Sequence, residues 1–579
     1  MGSSARAATR ARIYLSAHAV DLGLALAFSL LTYAAWQVRA HGNLSGLAFS
    51  LGNAGIFALS FPFLFALCYA VVRSVWCSLD ALGHHAGDEM RPVPFRILWL
   101  ALGLMWLPWL LVQLPGTLSW DMSGQLVDAM NGGALSAHHP VFFAMLYGAL
   151  FQFGFALGGV DAGILCITVA QFLVFSASIA FALHRVSLIL SVPRRAMCGM
   201  VLFFGLVPVF PLFAVSAVKD TLTASTFLLF VVQMSDLALV GSRRRSRFIS
   251  LPALLAVALG CCLMRYDSVF VVVPVLAAVG LAARLRCERG SFRPIVAAVL
   301  AFILLVGYNA VVPTVIDLKP GSIREALSLP IQQVGRYLKE YPDDLDAYEQ
   351  ATLDKAFKPA LDEVAAAYTP YVADPVKGMF RYDRENIPLL DFLVVWARLG
   401  LRHPDVYLAH LIQGTGGYWD IGGDDYGRIE ALPVADPAVG VVVTQILEGE
   451  NGSKGSPFVS DGGTYAFPGV LTRLHAYVVA LESVPVLSLL FKPAAYTWLA
   501  IILLARAFTR WGSRMACPAL ALVLKFGICL LSPLAGSMRY ALPLVLCVPI
   551  MLCLAAFGTR PTLDAAGAGP AARHLNERD

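Results

Sequence analysis

Apolar runs of about 20 residues, the length that crosses a hydrocarbon core of ~30 Å, recur near 17–38, 51–72, 95–113, 162–184, 198–217, 222–240, 250–264, 267–284, 293–312, 493–508, 517–533 and 540–558. The pattern predicts about twelve transmembrane helices. Two further apolar stretches, 140–158 and 476–491, fit a full crossing poorly. One long polar region, 313–475, interrupts the series. Apolar residues at three-to-four spacing predict helix over 323–338 and 344–368, whereas 414–467 is rich in Gly, Asp and Pro and reads as loop. The Gly/Ala-rich tail after Thr559 reads as disordered. The chain is thus expected to be an all-α polytopic membrane protein. It divides into an N-terminal accessory pair with its cytoplasmic loop (1–94), a transmembrane core (95–312), an extracytoplasmic insert (313–475), C-terminal interfacial and transmembrane helices (476–558) and a tail (559–579).

Composition agrees. Hydrophobic residues make up 58% and charged residues 14% of the 579, against roughly 25% charged in soluble domains, and the mean hydropathy is +0.70. The formal charge of +5 is carried by short clusters such as Arg6/Arg10/Arg12, Arg185/Arg194/Arg195, Arg243/Arg244/Arg245 and Arg506/Arg510/Arg514. Positive loops stay in the cytoplasm. All clusters do so only if 140–158 and 476–491 lie at the outer interface without crossing, which puts both termini in the cytoplasm. Such local charge sets topology and implies no nucleic-acid partner. The eleven cysteines fall in or beside apolar segments, so no disulfide framework and no Cys metal site is expected. With no cleavable signal or myristoylation motif in view, insertion is expected to rely on the first hydrophobic helix.

This topology gathers the unusual polar residues at the outer ends of helices. Asp121 follows Trp120 in the first outer loop, within Pro115-Gly116-Thr117-Leu118-Ser119-Trp120-Asp121-Met122-Ser123-Gly124-Gln125. A carboxylate there could take a proton from an acceptor hydroxyl; Ser119 or Asp121 could equally cap a short helix running through Gln125 and Met130, and the two roles are compatible. Asp128 reads as a solvated surface acid. His138-His139-Pro140 closes the loop, where an imidazole could meet a phosphate, or the pair could simply open a helix ahead of Pro. No HxH or HxxxH spacing supports a metal pair. Lys219-Asp220, between two closely spaced spans, reads either as a turn ion pair or as a phosphate-neutralising Lys with a second site acid. Arg265-Tyr266-Asp267 interrupts an apolar run and needs water or partners, with a plain turn as the competing view. Arg539-Tyr540 opens the last span against the charge trend, and Arg suits planar capture of phosphate oxygens; snorkelling is the alternative. His84-His85 falls in a cytoplasmic loop and is given no role, and Asn451-Gly452-Ser453 matches a glycosylation pattern.

On these motifs the chain resembles membrane glycosyltransferases of the GT-C superfamily, which use sugars carried on a polyprenyl phosphate. The resemblance lies in Pro115-Gly116, Asp121 to Gln125, His139-Pro140, the Lys219-Asp220 and Arg265-Tyr266-Asp267 turns, the Leu329-Pro330-Ile331-Gln332-Gln333 run and Arg539-Tyr540. It implies an inverting transferase with Asp121 as catalytic acid, Asp220 as the second acid and Arg539 as a phosphate ligand. Gln125, His138, His139, Lys219, Arg265, Asp267 and Tyr540 are the further expected substrate contacts. The metal-dependent members show a fuller acidic pattern than stands beside Asp121, so no metal ligand is assigned, no cofactor is firmly expected and a divalent metal is only an open alternative. The implied partners are a polyprenyl-phosphate-linked sugar, an envelope acceptor and the lipid bilayer, with the site on the outer face of the cytoplasmic membrane. Two rivals stand: a transporter or flippase, and a polysaccharide polymerase or ligase, for which Arg324, Arg336, Arg381 and Arg384 in the insert would speak.

Overall fold

The computed structural model describes residues 18–84, 92–118, 122, 125–126, 135–240, 246–286, 292–319, 321–381, 389–423 and 467–559. Each of the twelve apolar stretches holds a helix. α1 (Ala19–His41) stops where Gly42 turns left-handed (φ 74°) and donates its N–H to the Val38 carbonyl, a cap that glycine adopts without strain. α2 (Leu51–His84) returns along α1, and α3 (Phe95–Val112) leads to β1 (Thr117–Leu118). β2 (Leu135–Ser136) precedes α4 (Val141–Ile189).

α4 is helical on both sides of Gly158 and Gly159, whose backbone is not helical. Eight residues of continuous helix would separate positions 154 and 162 by about 12 Å. A Cβ on Gly154 would instead lie 2.3 Å from the Ala162 carbonyl oxygen, and one on Gly163 2.8 Å from the Phe151 ring. The chain therefore doubles back, and the two arms pack Phe143, Tyr147 and Phe151 against Ile167. The stretch 140–158, expected to be separate from the following span, is one arm of this hairpin.

α5 (Arg194–Leu206) and α6 (Val209–Val215) form a pair bent by 55° at Val207, which is extended (ψ 117°), the conformation favoured by a residue ahead of proline. Then come β3 (Ser216–Ala217), α7 (Lys219–Val240), α8 (Leu251–Met264), α9 (Val269–Leu285), α10 (Phe292–Val315) and β4 (Leu318–Lys319). In the insert, α11 (Ser328–Glu340), α12 (Ala347–Ala356), α13 (Leu361–Ala367), α14 (Asp374–Met379), α15 (Leu389–Arg402) and α16 (Pro404–Thr415) share a separate core that includes Val334, Tyr337, Phe357 and Phe392. The single helix expected over 344–368 is two. Asp346 and Glu349 form a capping box at the start of α12, and the chain breaks at Pro359 before α13. Of the expected loop region, residues 414–423 and 467 are described. α17 (Pro468–Ser483) and α18 (Pro485–Ser488) meet at a 100° bend, where one interfacial helix was expected. α19 (Pro493–Trp511), α20 (Ala516–Leu530) and α21 (Met538–Ala556) close the bundle.

Among the described residues nine helices are long and apolar enough to cross a membrane, or eleven if each bent pair counts as one span. The difference between twelve and nine has a physical source: α8 has 14 residues, only about 21 Å of helix, the stretch 198–217 is the bent α5–α6 pair, and Pro493–Leu530, which holds two of the expected spans, counts as one. Peripheral helices expose large apolar side chains, among them Leu59, Phe63, Leu100 and Leu104, as a lipid-facing surface requires. The chain is an all-α, multi-pass membrane protein. α7 and α21 form its centre, and α7 packs on α4, α8, α20 and α21.

Candidate functional site

Two short parallel ladders connect the loop after α3 to the core. In β1 and β3, Thr117 pairs with Ser216 and Leu118 with Ala217. In β2 and β4, Leu135 pairs with Leu318 and Ser136 with Lys319. The Pro115-Gly116 motif has a steric basis. Gly116 holds φ 131°, and a Cβ there would lie 1.9 Å from Thr168 Oγ1. Gln171 secures the other strand: its amide donates to the Phe213 (2.8 Å) and Ser216 carbonyls, while its oxygen accepts from Tyr147 (2.6 Å). The Phe213 carbonyl, near the buried end of α6, also accepts from the Thr221 hydroxyl (3.1 Å), as a buried backbone acceptor requires a donor.

β3 delivers the chain directly into α7. Lys219 and Asp220 are thus in the first helical turn and not in the loop that the sequence suggested. Asp220, 1% exposed, gains from the positive end of that helix. Its Oδ1 accepts from Arg265 Nη1, and its Oδ2 lies 3.3 Å from Arg539 Nε. Arg265, at the carboxyl end of α8, also donates to Asp267 Oδ2 at 2.7 Å. Both guanidinium groups stand over the Tyr540 ring, at 4.6 Å for Arg265 and 5.1 Å for Arg539, within cation–π range. Asp220, Arg265, Asp267, Arg539 and Tyr540, spread over 320 positions of sequence, are one cluster.

Lys219 and the histidines adjoin it. Lys219 Nζ donates to His139 Nδ1 at 2.9 Å; an ammonium can only donate, so this nitrogen accepts and the ring proton belongs on Nε2. His139's carbonyl accepts from Tyr266 Oη (3.0 Å), which in turn accepts from the Val141 N–H (3.3 Å). His138 stands edge-on to His139 at 4.6 Å. Gln125 is buried, and Met122 and Leu126 pack with Leu118, Ala217, Leu222 and Met264. Asp121 and Asp128 lie outside the described residues. Asp121 follows Leu118 by three positions, as Asp220 follows the paired Ala217.

Lys525, inside the apolar run 517–533, was missed by the sequence reasoning. It is 2% exposed, and its charge interacts with those of Arg265, Asp267 and Asp220. A lysine within a membrane-length apolar segment was the available signal. With it, the cluster and its neighbours set Lys219, Arg265, Lys525 and Arg539 against Asp220 and Asp267, four formal positive charges to two negative. Among the described residues no three His, Cys, Asp or Glu side chains group as metal ligands. At the opposite end of α7, about 24 Å away by helical rise, Arg185 pairs with buried Asp236 (Nε to Oδ2, 3.0 Å) and with Ser246.

The insert contacts the loop that precedes Arg539. Gly417 donates its N–H to the Ala535 carbonyl (2.9 Å), Ala535 to Tyr371 (2.9 Å) and Ala373 to Pro533 (2.9 Å), and the Tyr418 and Ser532 hydroxyls bond at 2.8 Å. A Cβ on Gly536 would lie 2.5 Å from Gly417 Cα, so the two backbones cross in contact. Gln332 and Gln333 serve the insert itself: Gln332 donates to the Val372 carbonyl (2.7 Å), and Gln333 accepts from Trp396 (2.9 Å).

Residues 129–567, three quarters of the chain and nearly all of this cluster's surroundings, match the family of unknown function DUF6020. The chain belongs to that family. The DUF6020 match includes Asp220, Arg265, Asp267, Lys525 and Arg539 and begins after Asp121. No curated protein and no solved structure matches the chain.

Proposed function

We propose that this DUF6020 protein is a membrane glycosyltransferase that moves a sugar from a polyprenyl-phosphate donor to an acceptor hydroxyl at the outer membrane face. The observation that carries this reading is the buried cluster with its surplus of positive charge, joined through β1 and β3 to the loop that bears Asp121. Asp121 takes the acceptor's proton as the acceptor oxygen bonds to the anomeric carbon. The bond from that carbon to the phosphate oxygen breaks, and its electron pair stays on the phosphate, whose charge rises from minus one to minus two. Arg539 and Lys219 hold that phosphate, and a cationic site shielded from water stabilises the added charge most at the moment of transfer. Asp220, with Arg265 and Arg539 beside it, serves as the counter-ion that fixes their geometry.

The insert arginines bear on the polymerase alternative. Arg336 is committed to Glu340 (2.7 Å), Gln413 (2.6 Å) and the Gly42 carbonyl (2.6 Å), and Arg381 to the Phe357 carbonyl (3.1 Å). Arg384 lies outside the described residues. The test is sugar transfer by purified full-length protein in nanodiscs, from labelled polyprenyl-phosphate sugars to envelope acceptors. Wild type should transfer, Arg539→Ala should lose about 10²–10³-fold, as removal of one oxyanion donor does elsewhere, and Asp121→Asn should lose transfer. Full transfer by Asp121→Asn removes the base from the mechanism. Solute uptake into proteoliposomes without transfer would make the protein a transporter.

A further inference from the structure

Lys525 lies five residues before the end of α20, about 8 Å inside the helix. Its side chain is 2% exposed, and Nζ has no hydrogen-bond partner among the described residues. An ammonium has three donors, and burying one unpaired is costly. Of the carboxylates that share its surroundings, Arg265 takes one oxygen of Asp220 and one of Asp267, Arg539 stands 3.3 Å from the other oxygen of Asp220, and the remaining oxygen of Asp267 forms no hydrogen bond with Lys525. The thiol of Cys529, one turn along α20, donates to the Tyr540 carbonyl (3.3 Å). α20 packs on α7, α9 and α21, helices that carry or adjoin Asp220, Asp267 and Arg539. With the adjoining Lys219 counted, three cations already face two carboxylates before Lys525 is added, so the partner it lacks is an anion.

We propose that Lys525 is an anion ligand of this site and meets the phosphate of a lipid-linked substrate from the membrane side. The carrier's identity rests on the glycosyl-transfer reading; the phosphate chemistry does not. A phosphate offers terminal oxygens that Lys525 and Arg539 can bind from different sides. An apolar tail would then run among lipids while the phosphate stays at the helix ends.

The test uses full-length protein in nanodiscs, with a short-chain prenyl phosphate and inorganic phosphate as probes and the exposed Lys355→Met as control. Binding and the ligand-induced rise in Tm are both read, since a ligand that binds the folded state raises its stability. Lys525→Met should bind prenyl phosphate at least tenfold more weakly yet melt, without ligand, at or above wild type. Lys525→Arg should keep most of the binding. Wild-type binding by Lys525→Met overturns the assignment and leaves the transfer reading standing. A fall in the ligand-free Tm that Asp267→Asn reverses would make Lys525 a counter-ion of Asp267 and would also overturn it. Equal affinity for inorganic phosphate overturns the lipid part. Prenyl phosphate binding that needs Lys525, in a protein that transfers no sugar, would support Lys525 and sink the transfer reading.

Discussion

Asp220→Asn isolates the buried charge cluster. Asn keeps the side chain's size and one acceptor oxygen but removes the negative charge facing Arg265 and Arg539. At 3.3 Å and an effective dielectric of about 20, the interaction with Arg539 alone is about 5 kcal/mol. The desolvation that Asp220 pays offsets part of this, and removing one member of a buried pair costs about 3–5 kcal/mol in comparable proteins. That is a large share of the total stability of about 5–15 kcal/mol typical of folded domains. The assay is denaturation in mixed micelles of wild type, Asp220→Asn, Arg539→Gln and the double variant. Asp220→Asn should lower stability by about 3 kcal/mol or more, and the double variant should lose much less than the two single losses combined, because neighbours in one network are non-additive. A loss below about 0.5 kcal/mol, or additivity within about 0.5 kcal/mol, would refute the ion-pair account.

Gly116→Ala should destabilise by at least about 1–3 kcal/mol, the usual cost of a strained backbone, because it adds a Cβ against Thr168 at φ 131°; thermal melting should show the loss, with part recovered by adding Thr168→Gly. Gly536→Ala should part the crossing with Gly417, and hydrogen exchange should report faster exchange at the Gly417 amide. Burial and the nearby Arg336 hold His410 neutral, with its pKa lowered to about 3 from 6.5. The unfolded chain then takes up a proton between those values that the folded chain refuses, so the insert loses stability as pH falls from about 6.5 towards 3 and keeps it above 6.5. Hydrogen exchange across α11 and α16 at pH 7 and pH 5 should show this loss in wild type and a smaller one in His410→Gln.

The apolar helices were legible because a bilayer-length run can hardly be anything else, and Arg265, Asp267 and Arg539 stood out as charges that such runs rarely tolerate. Their meeting was not legible. The residue pairs that bring Leu118 to Ala217 are two positions long and about a hundred apart in sequence, so neither shows a strand pattern. Lys219 and Asp220 read as a loop because they are polar, yet α7 begins at Lys219. Lys525 was hidden by averaging, since one cation barely changes the hydropathy of an apolar window. The α4 hairpin lay in Gly158-Gly159, a signal weaker than the apolar run around it. Pro359 marked the break before α13, which the three-to-four spacing on either side of it disguised.

The insert is fastened at two places. Arg336 reaches the Gly42 carbonyl, and Asp420 pairs with Arg39 at 2.9 Å, which ties it to the tip of α1. Gly417 and Tyr418 tie it to the loop ahead of Arg539. The insert is therefore a strut between the first helix pair, which the DUF6020 match does not reach, and the guanidinium of the last helix. Tilting α1 would pull on that strut, so the leading helices act as ballast for a cation encoded five hundred residues downstream.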